Sequence, residues 1–282
     1  MTGSILDGAM EFTFLTRAPA APLARYVESI WYARGRIDYE RELIAPTGST
    51  VAGIVLGPPI RQTPAAGPAF LATTGFLIGP HDRPIVNQPT AETFCVGIVT
   101  TPVGCRAVFG LDPAGLRGRV VDLATAWPTA TRLRAELAVT QPGEVLAQAE
   151  TALTSSLGEV GPGVERCAAA VAALEAEPAR SIGELAASLG VSHGHLDREF
   201  SRVVGLGPRT LARILRLRAL LAHLDVYGQI EWIELAATLG WFDQAHLIRD
   251  FKRHTGVTPS EYQAAQRRTY RPEDAAPGFV PR

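Results

Sequence analysis

Glu184-Leu-Ala-Ala-Ser-Leu-Gly190 returns fifty residues later as Glu234-Leu-Ala-Ala-Thr-Leu-Gly240, with one conservative change. One inserted residue then moves the offset to 51, and the match continues. His195, Leu196, Arg198, Phe200, Arg202, Gly205 and Pro208 correspond to His246, Leu247, Arg249, Phe251, Arg253, Gly256 and Pro259. Two copies are too few for a stacked solenoid, so the repeat reads as one supersecondary unit used twice.

Each copy has the grammar of a helix, a tight turn and a second helix. In the first, Ser181 precedes Glu184 by three residues, the spacing of a capping box, and Ile182, Leu185, Ala186 and Leu189 form an apolar stripe at helical period. Gly190 supplies the left-handed backbone of a sharp turn. Ser192 is placed to cap the next helix, whose Leu196, Phe200 and Val203 face inward. The second copy repeats this with Ile233, Leu235, Ala236 and Leu239, then Gly240, then Asp243 as cap with Leu247 and Phe251 inward. This is helix-turn-helix organisation. Pro208 to Leu224 joins the copies, with proline at an allowed early position and Leu211, Ile214, Leu215 and Leu221 apolar, as a rigid connecting helix. Arg209, Arg213 and Arg216 on this connector read either as phosphate contacts or as a solvated face.

Removing the inward residues leaves the surface open to a partner. In the first unit it comprises His193, Gly194, Asp197, Arg198 and Arg202; in the second, Gln244, Ala245, Ile248, Arg249 and Lys252. A helix enters the major groove with its N-terminal residues against base edges, where Arg pairs with guanine and Gln with adenine. Arg198, Gln244 and Arg249 are therefore the leading base readers, on recognition helices at about 192–204 and 243–255. A rigid connector would set these in successive major grooves, about 34 Å apart. The plainer reading of any one such helix is a solvated charged face; the duplication argues against it.

The strings Ser192-His-Gly-His-Leu-Asp-Arg-Glu-Phe200 and Gly240-Trp-Phe-Asp-Gln-Ala-His-Leu-Ile-Arg-Asp-Phe-Lys-Arg-His-Thr-Gly-Val-Thr-Pro-Ser-Glu-Tyr262 closely resemble the AraC/XylS family of bacterial regulators, over about residues 164 to 268. The resemblance implies a seven-helix domain whose readers sit at Gly194, Asp197 and Arg198, then at Gln244, Ala245 and Arg249. Gly194 offers no side chain, and Asp197 would be repelled by phosphate, so the second unit is expected to contribute more direct readout. Phosphate contacts are expected from Ser192, Arg202, Arg209, Arg213, Asp243, Lys252 and Arg253.

Working outward, 282 residues suit two domains, and 46% hydrophobic with 20% charged residues describe an ordinary globular chain. The net charge of −1 is not that of a dedicated polycation. Val164 to Arg271 holds 14 basic against 12 acidic residues, a balance of +2, and Met1 to Gly163 holds 12 against 14, a balance of −2. Local basic clusters survive this neutral total. Cys95, Cys105 and Cys167 have neither zinc-site nor disulfide spacing and read as buried thiols. Met1 to Thr13 shows no basic-then-apolar leader and no apolar run reaches membrane length, so a cytoplasmic location without membrane contact is expected.

Before residue 160, β-prone pieces at Glu11 to Thr16, Ile30 to Ala33, Ser49 to Leu56, Gly75 to Ile78 and Thr93 to Val99 alternate with Gly/Pro turns. Cys105 to Phe109, Thr129 to Ala138 and Glu144 to Ser156 read as helices. The pattern resembles the sensory domains of one branch of the same family, which implies a cupin-like barrel.

The fold class expected is thus α+β with two domains: an N-terminal small β-barrel, cupin-like, with helices, and a C-terminal all-α domain of seven helices carrying two helix-turn-helix units. Residues 1–160 would be a sensory or dimerisation domain, 161–163 a linker, 164–268 the DNA-binding domain and 269–282 a flexible tail. Trp31, Tyr32, Phe76 and Phe94 read first as packed core and second as the lining of an effector site.

His81 is the one histidine before residue 193, so no cofactor and no metal are expected, and a metal-dependent cupin enzyme fused to a DNA-binding module is the weaker alternative. A helical module that binds protein is the other. The partner expected is a double-stranded DNA operator, with RNA polymerase, a small-molecule effector and a second copy of the chain as further candidates.

Overall fold

The computed structural model describes residues 12–271 and 277–282. The start of the strand expected from Glu11, most of the segment read for a leader, and tail residues 272–276 lie outside them.

The N-terminal part is built from strands β1 (Thr13–Arg17), β2 (Val27–Gly35), β3 (Glu42–Ile44), β4 (Val51–Val55), β5 (Ile60–Thr63), β6 (Phe70–Ala72), β7 (Gly75–Ile78), β8 (Ile85–Pro89), β9 (Thr93–Thr100) and β10 (Val120–Asp122). Helices α1 (Cys105–Phe109), α2 (Pro113–Leu116), α3 (Leu123–Ala126), α4 (Thr129–Ala138) and α5 (Val145–Ser155) accompany them. The expected strands and helices with long apolar patterns are all present. The short strands β3, β5, β6, β8 and β10 are the ones sequence reading missed, because three to five residues are too few to show an alternation that stands out from their surroundings.

These strands form two sheets, in the orders β1-β2-β9-β4-β7-β10 and β11-β3-β8-β5-β6, where β11 is Phe279–Pro281. The expected closed barrel is therefore incorrect: β1, β10, β11 and β6 each end a sheet, whereas a barrel needs every strand paired on both sides. The strands of the second sheet are three to five residues long and leave little ladder with which to close. The sheets remain open and pack face to face instead. Val55, Phe76, Ile78 and Cys95 of one meet Ile60, Ala72 and Ile85 of the other. On the far face of the six-stranded sheet, Ile30, Tyr32, Ile54, Leu77 and Ile98 pack on Leu133, Leu137, Ala149 and Leu153 of α4 and α5.

Seven helices follow in residues 164–269: α6 (Val164–Ala176), α7 (Ile182–Ser188), α8 (His193–Val203), α9 (Pro208–His223), α10 (Trp232–Thr238), α11 (Gln244–Thr255) and α12 (Pro259–Thr269). Gly190 and Gly240 hold φ of +70° and +78° at the two tight turns, the left-handed region in which a Cβ is strained. Ser192 accepts from the His195 amide at 3.2 Å and Asp243 from the His246 amide at 2.6 Å, so both recognition helices are capped as their sequences require. Ser181 adopts the extended capping backbone but makes no side-chain cap bond. The capping box forms instead at Thr258 and Glu261.

Each unit surrounds its own core, and each core takes in residues from the sheet domain. Leu185, Leu196, Phe200, Leu211 and Ile214 enclose the first, joined by Val103. Leu217, Leu220, Leu247, Phe251 and Tyr262 enclose the second, joined by Ala45 and Val280. The expected flexible tail is corrected at its end. Residues 279–281 pair antiparallel with β3, Val280 is buried, and Gln266 Nε2 donates to the Phe279 carbonyl at 2.6 Å. The tail is polar and Pro-rich in sequence; the edge of β3, from another domain, is what places residues 279–281.

Candidate nucleic-acid interface

Along α8, residues 194, 197 and 198 are exposed, and along α11 so are residues 244, 245, 249 and 252. These faces exist because the opposite ones are consumed by packing: Leu196, Phe200, Leu247 and Phe251 are fully buried. A Cβ at Gly194 would stand in ordinary contact with the Arg198 guanidinium, at 3.6 Å. Asp197 lies 3.4 Å from the His193 ring, one turn earlier on the same helix.

A buried acid fixes the inner flank of each recognition helix, at equivalent places in the repeat. Glu199 accepts from Arg166 of α6 at 2.9 Å, and Asp250 accepts from the Trp241 indole at 3.2 Å and stands 3.4 Å from the His246 ring. Sequence reading assigned no role to either. Their shared position, offset by 51 and acidic in both copies, was the signal available. Such anchors orient the exposed side chains of the same helix.

The expected phosphate contacts divide. Arg209, Arg213 and Lys252 are exposed, and among the described residues none has a carboxylate partner. Arg202 instead donates to the Pro162 carbonyl at 2.6 Å, so the expected linker is held against α8. Arg253 Nε donates to Asp82 of the sheet domain at 3.2 Å, and His254 Nδ1 lies 2.8 Å from the Asp82 carbonyl oxygen. Ser192 and Asp243 spend a side-chain oxygen on their helix caps.

The four aromatic residues named for an effector site do not converge. Side chains alternate across a strand. Trp31 and Phe76 accordingly lie between the sheets, while Tyr32 and Phe94 lie on the opposite face and meet edge to face, centroids 5.9 Å apart. Between the sheets, the Phe76 ring covers Gly53 and the Trp31 ring covers Gly97, filling space that other side chains would need. Cys95, Cys105 and Cys167 are buried free thiols, and burial pushes the Cys105 pKa up to about 11 and that of Cys167 to about 12. Among the described residues no group of three or more His, Cys, Asp or Glu is placed to hold a metal ion, and no helix is long and apolar enough to cross a membrane.

Comparison with known proteins agrees with the duplicated unit. The helix-turn-helix domain family matches residues 185–265, and a domain of unknown function, DUF6597, matches residues 15–122. No curated protein matches the chain. Among solved structures, ToxT from Vibrio cholerae O395 is similar at 10% identity over 89% of this chain and 97% of its own, with a TM-score of 0.47. The AraC-like transcriptional activator CuxR is 12% identical over 75% and 87%, with a TM-score of 0.25. Likenesses this distant add nothing to the assignment. It rests on the family match together with the two capped helices α8 and α11: residues 185–265 form a helix-turn-helix domain.

Proposed function

We propose that α8 and α11 enter successive major grooves on one face of an operator, with Arg198, Gln244 and Arg249 reading bases and Gly194, Asp197 and Ala245 shaping the fit. The observation that carries this is the exposure of these positions on two helices fixed by buried anchors, in two units that the helix α9 connects. Lys252, Arg209 and Arg213 bind phosphates. Arg202 and Arg253 reach them only after releasing Pro162 and Asp82, and Ser192 and Asp243 act chiefly as caps. Residues 1–160 form the sensory or dimerisation domain, acting on DNA binding in the bacterial cytoplasm through the surface that holds Asp82. An effector, a second copy of the chain and RNA polymerase are its candidate partners. The protein is a regulator, with no catalytic role assigned to any residue.

Selection of genomic fragments with the purified chain should recover one bipartite motif, its halves about one helical turn apart. Arg249→Ala should cost about 1–3 kcal/mol at one base position of one half. Unchanged specificity in that variant would remove Arg249 from the readers. Failure of the wild type to bind any duplex, at low salt and with the fold intact, would favour a protein-binding role for the same helices.

A further inference from the structure

Between the two helix-turn-helix units lies a cavity of about 460 Å³ into which Arg180, Arg209, Arg213 and Arg216 converge, with His193 of α8 and His246 of α11 at its wall. Its lining contains no Asp or Glu. Some arginines elsewhere in the chain are matched by acids, as Arg17 with Glu150, Arg25 with Glu165, Arg166 with Glu199 and Arg218 with Glu28. The four in this cavity have no carboxylate within ion-pair distance among the described residues, although the chain as a whole carries one more acid than base.

Arg216 is the deepest of them. Its guanidinium carbon sits 5.3 Å from the Trp241 ring centroid, one Nη donates to the Pro178 carbonyl at 3.3 Å, and Nε is buried with no hydrogen-bond partner. Leaving such a donor orphaned is destabilising, and placing like charges together adds repulsion. A fold that needed only packing here could have used apolar residues. An anion in the cavity offsets both costs.

We propose that this cavity receives the phosphodiester backbone of the operator where it crosses between the two major grooves, clamped by Arg180, Arg209, Arg213 and Arg216. The proposal rests on the DNA-binding reading and deepens it, since no sequence pattern joins Arg180 to the arginines of the connecting helix. Its position supports it: His193 is the first residue of one recognition helix and His246 the third of the other, so the cavity lies between the two ends directed at base edges. Each ring stands 3.4 Å from an acid on its own helix, His193 from Asp197 and His246 from Asp250. The four arginines supply the cavity's permanent positive charge.

The test uses the full chain and a duplex carrying its selected site. Neutral methylphosphonate linkages are placed one at a time between the half-sites. They should weaken wild-type binding at one or two positions by about tenfold and leave the double variant Arg180→Gln, Arg213→Gln unaffected. The double variant should keep the sequence preference while its salt slope falls by about 0.9 for each phosphate that it no longer neutralises. Arg216→Gln is avoided, because that side chain also packs on Trp241. Normal duplex binding with no effect of central methylphosphonates would overturn the proposal and leave the DNA-binding reading standing. Saturable binding of inorganic phosphate, abolished in the double variant and unaccompanied by any methylphosphonate effect, would overturn it in favour of a free anion. Absence of any duplex binding by wild type would overturn both.

Discussion

Gly97 shows how one residue settles what a surface can do. It has no side chain because the Trp31 ring occupies the place, and a Cβ on Gly97 would overlap that ring. Gly97→Ala should therefore displace the indole and its stacking partner Phe14, whose centroid lies 6.1 Å away, and destabilise the chain by about 1–3 kcal/mol in urea unfolding. Wild-type stability would show that Trp31 is loosely held and that the space between the sheets can open. The same geometry explains why the aromatic residues expected to share one site do not. Trp31 and Tyr32 are neighbours in sequence, and adjacency in a strand puts them on opposite faces.

At the scale of the element, capping was largely legible and its exceptions instructive. Ser192 and Asp243 cap α8 and α11 from the positions their spacing indicated. Ser181 and Glu184 have the spacing of a capping box without its bonds, because Ser181 is exposed and water can satisfy the same groups. Thr258 and Glu261 form the box in full, with the Thr258 amide donating to Glu261 at 2.7 Å. Thr258→Ala should cost about 0.5–2 kcal/mol and loosen α12, which packs Tyr262 against Phe251 and is tied to the C-terminal strand. Hydrogen exchange should then accelerate in α12 and β11 together, and acceleration in α12 alone would show that the strand is held by β3 without it.

For the whole molecule, the junction between sheet domain and second unit contains two buried histidines. His254 is fully buried with Nδ1 facing the Asp82 carbonyl, and His81 is 7% exposed with Nδ1 facing the Gly79 carbonyl. Nε2 of each is buried without a partner. Burial lowers both pKa values below 6.5; Asp82 and Asp250 oppose this at His254 and Arg253 adds to it. The unfolded chain thus binds more protons once pH drops below about 6.5. Stability from these rings is fully present above that pH and is lost as pH falls toward the folded pKa values. A urea midpoint followed from about pH 7.5 to 5 should decline below about 6.5, and His254→Asn should flatten the decline. An unchanged profile in that variant would place the acid sensitivity elsewhere, at His81 first.

The sequence alone determined the helix-turn-helix region in nearly complete form. Its signals are local or repeated: stripes at helical period, glycine at the turns, caps at helix starts, and a second copy against which to check the first. The exposed faces of α8 and α11 followed, since subtracting a local apolar stripe leaves a definite surface. Only the tertiary structure decided the openness of the sheets, the docking of the last strand on β3, the engagement of Arg253 by Asp82 and the gathering of four arginines between the units. Each of these joins residues distant in the chain. Pairing at a sheet edge and charge balance in a cavity are set by what arrives from elsewhere, and no pattern within a short segment records the arrival.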